Sequence, residues 1–135
     1  MRLFLDTCII VDIIDADRPE HNSALLLLQL AADNPGRLSL FTSDDALATA
    51  AYVMRHDQSA FRATASTLLK YIDILPTGRE MLLGVCGQEH PDFEDAMHIA
   101  CAGEYDCSGI ITRNRKHYEG YTSLRVFSPA EFMAL

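Results

Sequence analysis

Short apolar runs alternate with longer stretches of mixed polarity along the whole chain. The apolar runs predict β-strands at residues 3–5, 38–41, 71–75, 109–112 and 124–127. The stretches between them predict helices at residues 9–14, 18–32, 42–56, 59–70, 79–88 and 91–103, and a last helix from residue 128. Strands that alternate with helices are typical of an α/β domain whose mostly parallel sheet is covered on both faces.

Turn residues separate several of these elements. The sequence Asn-Pro-Gly at residues 34–36 is a strong turn signal, and Pro-Thr-Gly at residues 76–78 ends the third predicted strand. There is no internal repeat, low-complexity segment or linker. The 135 residues match the length of one ordinary domain, so a single domain over residues 1–135 is expected.

The composition indicates a globular protein with a sizeable core. Hydrophobic residues make up 49 % of the chain, and no apolar run reaches the roughly 18 residues that a membrane span requires. The N-terminus reaches Asp6 too early for the apolar region of a signal peptide. The four cysteines show neither a CxxC pair nor zinc spacing. Reduced thiols, a cytoplasmic location and no membrane contact are therefore expected.

The net charge of −8 argues against a broad nucleic-acid-binding surface, because phosphate contacts are the usual source of such affinity. That charge can instead be concentrated at a cation site, where a bound divalent ion would reverse the local sign. Three carboxylates, those of Asp92, Glu94 and Asp95, crowd into four positions at the start of one predicted helix. This helix is therefore the first candidate for such a site.

Polar residues also follow two of the predicted strands. Asp6 comes directly after the first strand, and Thr112 and Asn114 lie at the end of a later one. Ligands of open α/β sheets collect beyond the carboxyl ends of the strands, where the helix that carries Asp92 and Asp95 also begins. An all-oxygen cluster of Asp6, Asp92 and Asp95 would suit magnesium or manganese. Such a site activates water and neutralises a phosphodiester in the transition state.

Simpler interpretations of single residues remain open. Asp92, Asp44 and Asp45 are each the kind of acid that a helix start favours. Asp6 can equally be a turn residue, and Thr112 can merely cap a loop.

Three residues of the acidic helix carry separate expectations. Glu94 is expected to point away from the cluster into solvent, and His98 to be an ordinary surface or core histidine. Asp95 has apolar neighbours on the same helix, and a carboxylate at the edge of a core requires a partner.

Three segments resemble the PIN domain, the metal-dependent nuclease family that contains the VapC-type toxins of bacterial toxin–antitoxin pairs. LFLDTCIIVDII resembles the family's first strand and first acid. DFEDAMHIACAGEYDCSGIITRN resembles its third acidic motif and the helix, strand and Thr-Arg-Asn segment that follow, and FSPAEF resembles a common ending. The similarity spans nearly the whole chain and is closest to the subgroup whose motif reads Asp-Phe-Glu-Asp.

The resemblance implies a three-layer α/β/α fold with a central, mostly parallel sheet of four to five strands. It also implies an acidic pocket for one or two Mg²⁺ or Mn²⁺ ions and single-stranded RNA as substrate. Asp6 and Asp95 then match the first and third family acids, and Asp92 an auxiliary acid. These three are the expected metal ligands and catalytic residues. An antitoxin is an expected partner.

Other residues receive secondary roles. The polar loop after the later strand is expected to bind substrate through Thr112, Arg113, Asn114, Arg115 and Lys116. Four further pocket candidates are Asp44, Asp45, Glu94 and His117. The helices around residues 25–30 and 46–54 are apolar over more than a narrow stripe, which favours a homodimer.

The sequence departs from the family pattern in ways that leave fewer acidic and polar side chains in the predicted pocket. Cys8 stands where the family usually has Asn, and His117 stands where many members have an acid. Residues 48–50 offer no glutamate where many members supply one. Weak magnesium binding, tighter manganese binding and low activity are therefore expected. The alternative is a PIN fold that has lost activity and serves as a nucleic-acid-binding or regulatory module.

Two other classes share an apolar strand followed by an acid. A phosphatase of the haloacid dehalogenase type needs a second Asp where Cys8 stands. A response-regulator receiver needs a pair of adjacent acids after the first strand, and Asp6 has no acidic neighbour.

Overall fold

A computed structural model describes residues 1–135, which form a five-stranded sheet and seven α-helices. The strands are β1 (Arg2–Leu5), β2 (Ser39–Ser43), β3 (Asp73–Leu75), β4 (Gly109–Ile111) and β5 (Arg125–Phe127). The helices are α1 (Thr7–Ile14), α2 (His21–Asp33), α3 (Asp44–Val53), α4 (Gln58–Leu68), α5 (Gly78–Cys86), α6 (Phe93–Glu104) and α7 (Pro129–Met133). Two 3₁₀ turns lie at Arg55–Asp57 and Arg115–His117.

All strands are parallel, and their order across the sheet is β3-β2-β1-β4-β5. The central strand β1 is buried on both faces, as a parallel strand between two helical layers must be. Leu3 and Leu5 pack into the larger core with α1, α2, α3, α4 and α7, whereas Phe4 packs on the opposite side towards α5 and α6. The predicted three-layer α/β/α fold is therefore confirmed.

Several predicted elements have different bounds, and two of the differences follow from local hydrogen bonds. Helix α2 begins at His21 rather than at residue 18, because the carboxylate of Asp15 accepts from the amide of Asp17 and holds a turn there. Strand β3 begins at Asp73, since the amides of Tyr71 and Ile72 still bond to Leu68 at the end of α4. The predicted helix over residues 42–56 ends at Val53 and continues as a 3₁₀ turn.

The register of β1 against β4 sets the position of the candidate site. Leu5 pairs with Ile111, so Asp6 and Thr112 emerge side by side at the carboxyl edge of the sheet. The amide of Asp6 donates to the carbonyl of Ile111 at 3.0 Å and extends this pairing by one residue. No helix of the fold combines the length and hydropathy of a membrane span.

Candidate metal centre

Asp6 is buried at the start of α1, and each of its oxygens has a polar neighbour. Oδ2 accepts a hydrogen bond from the hydroxyl of Thr112 at 2.7 Å and from the thiol of Cys8 at 3.4 Å. Oδ1 lies 3.3 Å from Nδ1 of His98. Burial alone would raise the pKa of Asp6, but His98, Thr112 and Cys8 together lower it to about 2. Asp6 is therefore a fixed carboxylate over the whole physiological pH range.

Asp92 caps helix α6 and thereby positions Asp95. Its Oδ1 accepts from the amide of Asp95 at 2.9 Å, which is the usual bond of an N-cap residue. The simple interpretation of Asp92 as a cap is thus correct, and the same side chain also lines the cleft together with Asp95. Both residues line the cleft at the edge of the sheet where Asp6 lies.

Both carboxylate oxygens of Asp95 have close partners. The hydroxyl of Tyr118 donates to Oδ1 at 3.0 Å, and Nδ1 of His117 lies 2.9 Å from Oδ2. Burial raises the pKa of Asp95, and the negative charges of Asp6 and Asp92 raise it further. Asp95 therefore ionises less readily than Asp6, and a cation between the two would favour its charged form.

Glu94 does not point away from the cluster, so that expectation was wrong. Its Oε1 accepts from the hydroxyl of Thr7 at 2.9 Å, because the first turn of α6 lies against the start of α1. Nε2 of His98 lies 3.8 Å from the same oxygen. Glu94 therefore belongs to the cleft, as the secondary assignment of a pocket role proposed.

His98 is a buried core histidine, one of the two ordinary positions expected for it, but it also lies within the site. Its Nδ1 donates to the oxygen of Tyr118 at 2.9 Å. Burial lowers the pKa of His98, but the hydrogen bond and charge of Asp6 outweigh it, so the pKa is raised. Ligand atoms of Asp6, Glu94 and His98 all lie within 4.8 Å of one another. The imidazole thus joins the acids into one connected cluster.

Sequence reasoning missed the roles of His98 and Tyr118. His98 follows Asp95 by three positions and Glu94 by four, the spacing that places side chains on one helix face, and this was the available signal. Tyr118 gave no such signal, because its hydroxyl reaches Asp95 only through the 3₁₀ turn at Arg115–His117. Both are fully buried, and they link the two principal acids through hydrogen bonds.

The thiol of Cys8 acts as a neutral donor in this site. Burial raises its pKa to about 12, with the charge of Asp6 as the second cause. A thiol in that state is protonated near neutral pH, so it is neither a nucleophile nor an anionic ligand. Its place beside Asp6 supports the carboxylate with a hydrogen bond.

The acids face an open cleft of about 350 Å³. It is lined by Asp6, Thr7, Cys8, Val11, Arg18, Thr49, Val53, Asp92, Glu94, Asp95, Arg113, Asn114 and His117. Arg113 is held at the wall by Asp12, which accepts from its Nε at 2.7 Å and from its Nη2 at 3.2 Å. The side chain of Asp12 is 0 % exposed and that of Arg113 is 30 % exposed. The guanidinium is therefore held by a buried carboxylate and remains accessible from the cleft.

Two members of the predicted substrate loop do not line the cleft. Arg115 is paired with Glu119 and Glu131, which directs its charge along the surface towards α7. Lys116 is exposed and also lies outside the cleft lining.

A third loop member, Thr112, is fully buried and donates to Asp6, so its role is to position that acid rather than to contact substrate. Arg113 and Asn114 are the loop residues that the structure brings to the cleft.

Asp44 and Asp45 also lie outside the cleft lining, so their assignment to the pocket is not supported by the structure. Ser43 caps α3 by accepting from the amide of Ala46, and this leaves both acids in the first turn of the helix. Asp44 there accepts from the hydroxyl of Thr77 at 3.0 Å. The helix-start interpretation of these two acids is the one that the geometry matches.

The donor set fits a hard divalent cation. Four carboxylates converge on the cleft, and carboxylate oxygens are the ligands that magnesium and manganese prefer. Asp6 and Asp95 are in turn oriented by buried donors, the hydroxyls of Thr112 and Tyr118. Such outer partners fix the ligands of a metal site in place.

Comparisons with known proteins agree with this fold. The ribonuclease VapC1 of Aquifex aeolicus is 24 % identical over 97 % of this chain and 92 % of its own length. The crystal structure of Mycobacterium tuberculosis VapC20, a toxin that cleaves the sarcin–ricin loop, superposes with a TM-score of 0.68 at 16 % identity. The match covers 91 % of this chain and 98 % of the VapC20 chain.

A second solved structure has a similar fold. It is VapBC2 of Rickettsia felis bound to a DNA fragment from its promoter, which superposes with a TM-score of 0.69 at 18 % identity. The match covers 93 % of this chain and 97 % of the other. The sequence itself matches the PIN domain over residues 2–116, a span that includes Asp6, Asp95 and Asn114. This protein is a member of the PIN domain family.

Proposed function

We propose that the protein is a metal-dependent endoribonuclease that hydrolyses phosphodiester bonds in single-stranded RNA. The observation that carries the proposal is the convergence of Asp6, Asp92, Glu94 and Asp95 on one open cleft at the carboxyl edge of the sheet. Similarity to the ribonuclease VapC1 supports this activity and suggests that the protein is the toxin of a toxin–antitoxin pair.

Asp6, Asp95 and Asp92 are the proposed ligands of a Mg²⁺ or Mn²⁺ ion, with Glu94 beside them. When bound, such an ion activates water and neutralises charge on the phosphodiester. Asp6 supplies a permanent negative charge because its pKa is about 2. The hydroxyls of Thr112 and Tyr118 hold the carboxylates in fixed orientations.

Arg113 and Asn114 are the residues proposed to contact the substrate in the cleft. The guanidinium of Arg113 is anchored through two hydrogen bonds to Asp12, which limits the conformational freedom lost when it meets a phosphate. The amide of Asn114 donates to the hydroxyl of Thr112 at 2.9 Å, so the loop is tied to the residue that orients Asp6.

Partners are proposed on separate grounds. Large apolar side chains are exposed on α2 and at the end of α3, and they include Leu26 and Tyr52. These surfaces are proposed to mediate a homodimer, and an antitoxin protein is the proposed inhibitor by analogy with VapBC2. The four free cysteines of this protein and its proposed RNA substrate are consistent with action in the cytoplasm.

Two observations favour a second candidate, a PIN fold of weak or no activity that binds nucleic acid or has a regulatory role. His117 lies 2.9 Å from Asp95, at the position where an additional acid would have strengthened the site. The helix after β2 presents Thr49 to the cleft and no carboxylate.

Cleavage of single-stranded RNA separates the two candidates. The native protein, stripped of metal with a chelator, is assayed before and after addition of Mg²⁺ or Mn²⁺, beside an identically prepared Asp6→Asn variant. Metal-dependent cleavage by the native protein alone supports the nuclease, provided that circular dichroism gives the same fold for both. Equal cleavage by both proteins would refute the assignment, and metal binding without cleavage would favour the second candidate.

A further inference from the structure

His90 is held rigidly at the rim of the cleft by two backbone groups. Its Nδ1 accepts from the amide of Asp92 at 3.0 Å, and its Nε2 donates to the carbonyl of His117 at 2.8 Å. Both nitrogens are thereby used, which fixes the tautomer and the plane of the ring. Because Asp92 and His117 line the cleft, the ring of His90 lies directly beside two residues of the cleft wall.

The ring of Tyr121 lies beside that of His90. The ring centroids are 4.2 Å apart and the planes are inclined by 50°, while 48 % of Tyr121 is exposed. Phe93, which follows Asp92 directly at the start of α6, is exposed to a similar degree. Exposed aromatic side chains therefore adjoin the acidic cleft and offer aromatic surface to a ligand.

Most basic side chains near the cleft are paired with acids. Arg113 is paired with Asp12, Arg115 is paired with two glutamates, and the chain carries a net charge of −8. Phosphate contacts through Arg113 and a bound ion are therefore a limited source of affinity for single-stranded RNA, and a further source would strengthen binding. Stacking of bases on aromatic rings is such a source, and it tolerates any sequence because every base has an aromatic face.

We infer that His90 and Tyr121 form a stacking platform for one nucleobase of single-stranded RNA, adjacent to the phosphodiester that occupies the cleft. The inference rests on the proposed function for the identity of the ligand. Its test measures RNA binding rather than cleavage, so a nuclease without the platform and a platform without nuclease activity give different results.

The test compares Tyr121→Ala, Tyr121→Phe and Tyr71→Ala, all made in the Asp6→Asn background to prevent cleavage. Tyr71 is the matched control, since it is 52 % exposed and precedes β3 at the opposite edge of the sheet. The probe is a short fluorescein-labelled single-stranded RNA whose binding is followed by fluorescence anisotropy. A second set of probes carries one abasic site at each position in turn.

Tyr121→Ala is expected to weaken binding by roughly tenfold, which lies within the range typical of replacing a base-stacking aromatic residue by alanine. Tyr121→Phe and Tyr71→Ala are expected to stay within about twofold of the parent, because each keeps the platform's aromatic face. One abasic position should weaken binding to the parent and have no further effect in Tyr121→Ala. Equal binding by Tyr121→Ala and the Tyr71→Ala control, or abasic effects that are additive with Tyr121→Ala at every position, would overturn the inference.

Discussion

Nδ1 of His117 lies 2.9 Å from Oδ2 of Asp95. The imidazole therefore occupies one of the two oxygens that Asp95 would offer to a metal ion. A nitrogen donor suits transition metals better than magnesium, and magnesium is costly to dehydrate without several carboxylates. This contact is the structural basis for expecting tighter binding of Mn²⁺ than of Mg²⁺.

Replacing His117 by Asp should strengthen magnesium binding by roughly tenfold, because an additional carboxylate offsets more of the ion's dehydration. Magnesium-supported RNA cleavage should rise with it. Calorimetric titration with both ions measures the effect, and His117→Asn serves as the control because it removes the imidazole without adding charge. Equal affinity of the native protein for the two ions, with no gain in the Asp variant, would show that His117 does not influence the site.

Tyr118→Phe removes one hydroxyl and keeps the buried ring. Asp95 then loses a hydrogen bond of 3.0 Å and His98 loses one of 2.9 Å, so both are less well oriented. Metal affinity should fall about 10- to 100-fold, as is usual when an outer partner of a ligand is lost. Tyr105→Phe is the matched control, since its hydroxyl bonds to the carbonyl of Pro76 outside the cleft lining. Manganese affinity that is equal in the two variants would contradict the positioning role.

The Asp12–Arg113 pair should respond unequally to loss of either partner. The side chain of Asp12 is 0 % exposed, so Arg113→Met leaves a buried carboxylate without its partner. This change should lower the free energy of unfolding by about 3 kcal/mol. Asp12→Asn should cost only about 1 kcal/mol, because the amide oxygen still accepts and Arg113 can reach water. Urea denaturation measures both, and equal losses would argue against a buried charge as the cause.

Metal affinity should depend on pH through Asp95. Its pKa is raised, so in the metal-free protein the proton competes for this carboxylate at a higher pH than for an ordinary Asp. Binding requires the ionised form, and as the pH is lowered the affinity should therefore begin to fall at a higher pH than it would with an ordinary Asp. Asp6, with a pKa of about 2, stays ionised throughout and contributes nothing to the change. A calorimetric series at constant ionic strength tests this, and an affinity independent of pH would contradict it.

The position of the acids was predictable because parallel strands end at a common edge. Asp6 follows β1, and the helix that leads to β4 must begin at the same edge, so Asp92 and Asp95 come together with Asp6 whatever the loop details. The cap of α3 by Ser43 was predictable for a similar reason, since it depends only on neighbouring residues.

Contacts between distant segments could not be predicted in this way. Arg113 finds Asp12 across 101 positions of sequence, which depends on how α1 packs beside the end of β4. Tyr118 reaches Asp95 only because a 3₁₀ turn reverses the chain after Asn114. Glu94 was misplaced because its direction is set by Thr7 on α1, a tertiary contact that helical spacing does not reveal.

The central claim is that Asp6 and Asp95 form the core of a metal site, and a calorimetric titration with Mn²⁺ tests it most directly. The native protein, Asp6→Asn and Asp95→Asn are compared with Asp73→Asn, which removes an exposed carboxylate from the opposite edge of the same sheet. The account predicts one saturable site in the native protein and in Asp73→Asn, and loss of binding in the other two variants despite unchanged circular dichroism. Native-like binding by Asp6→Asn and Asp95→Asn would contradict it.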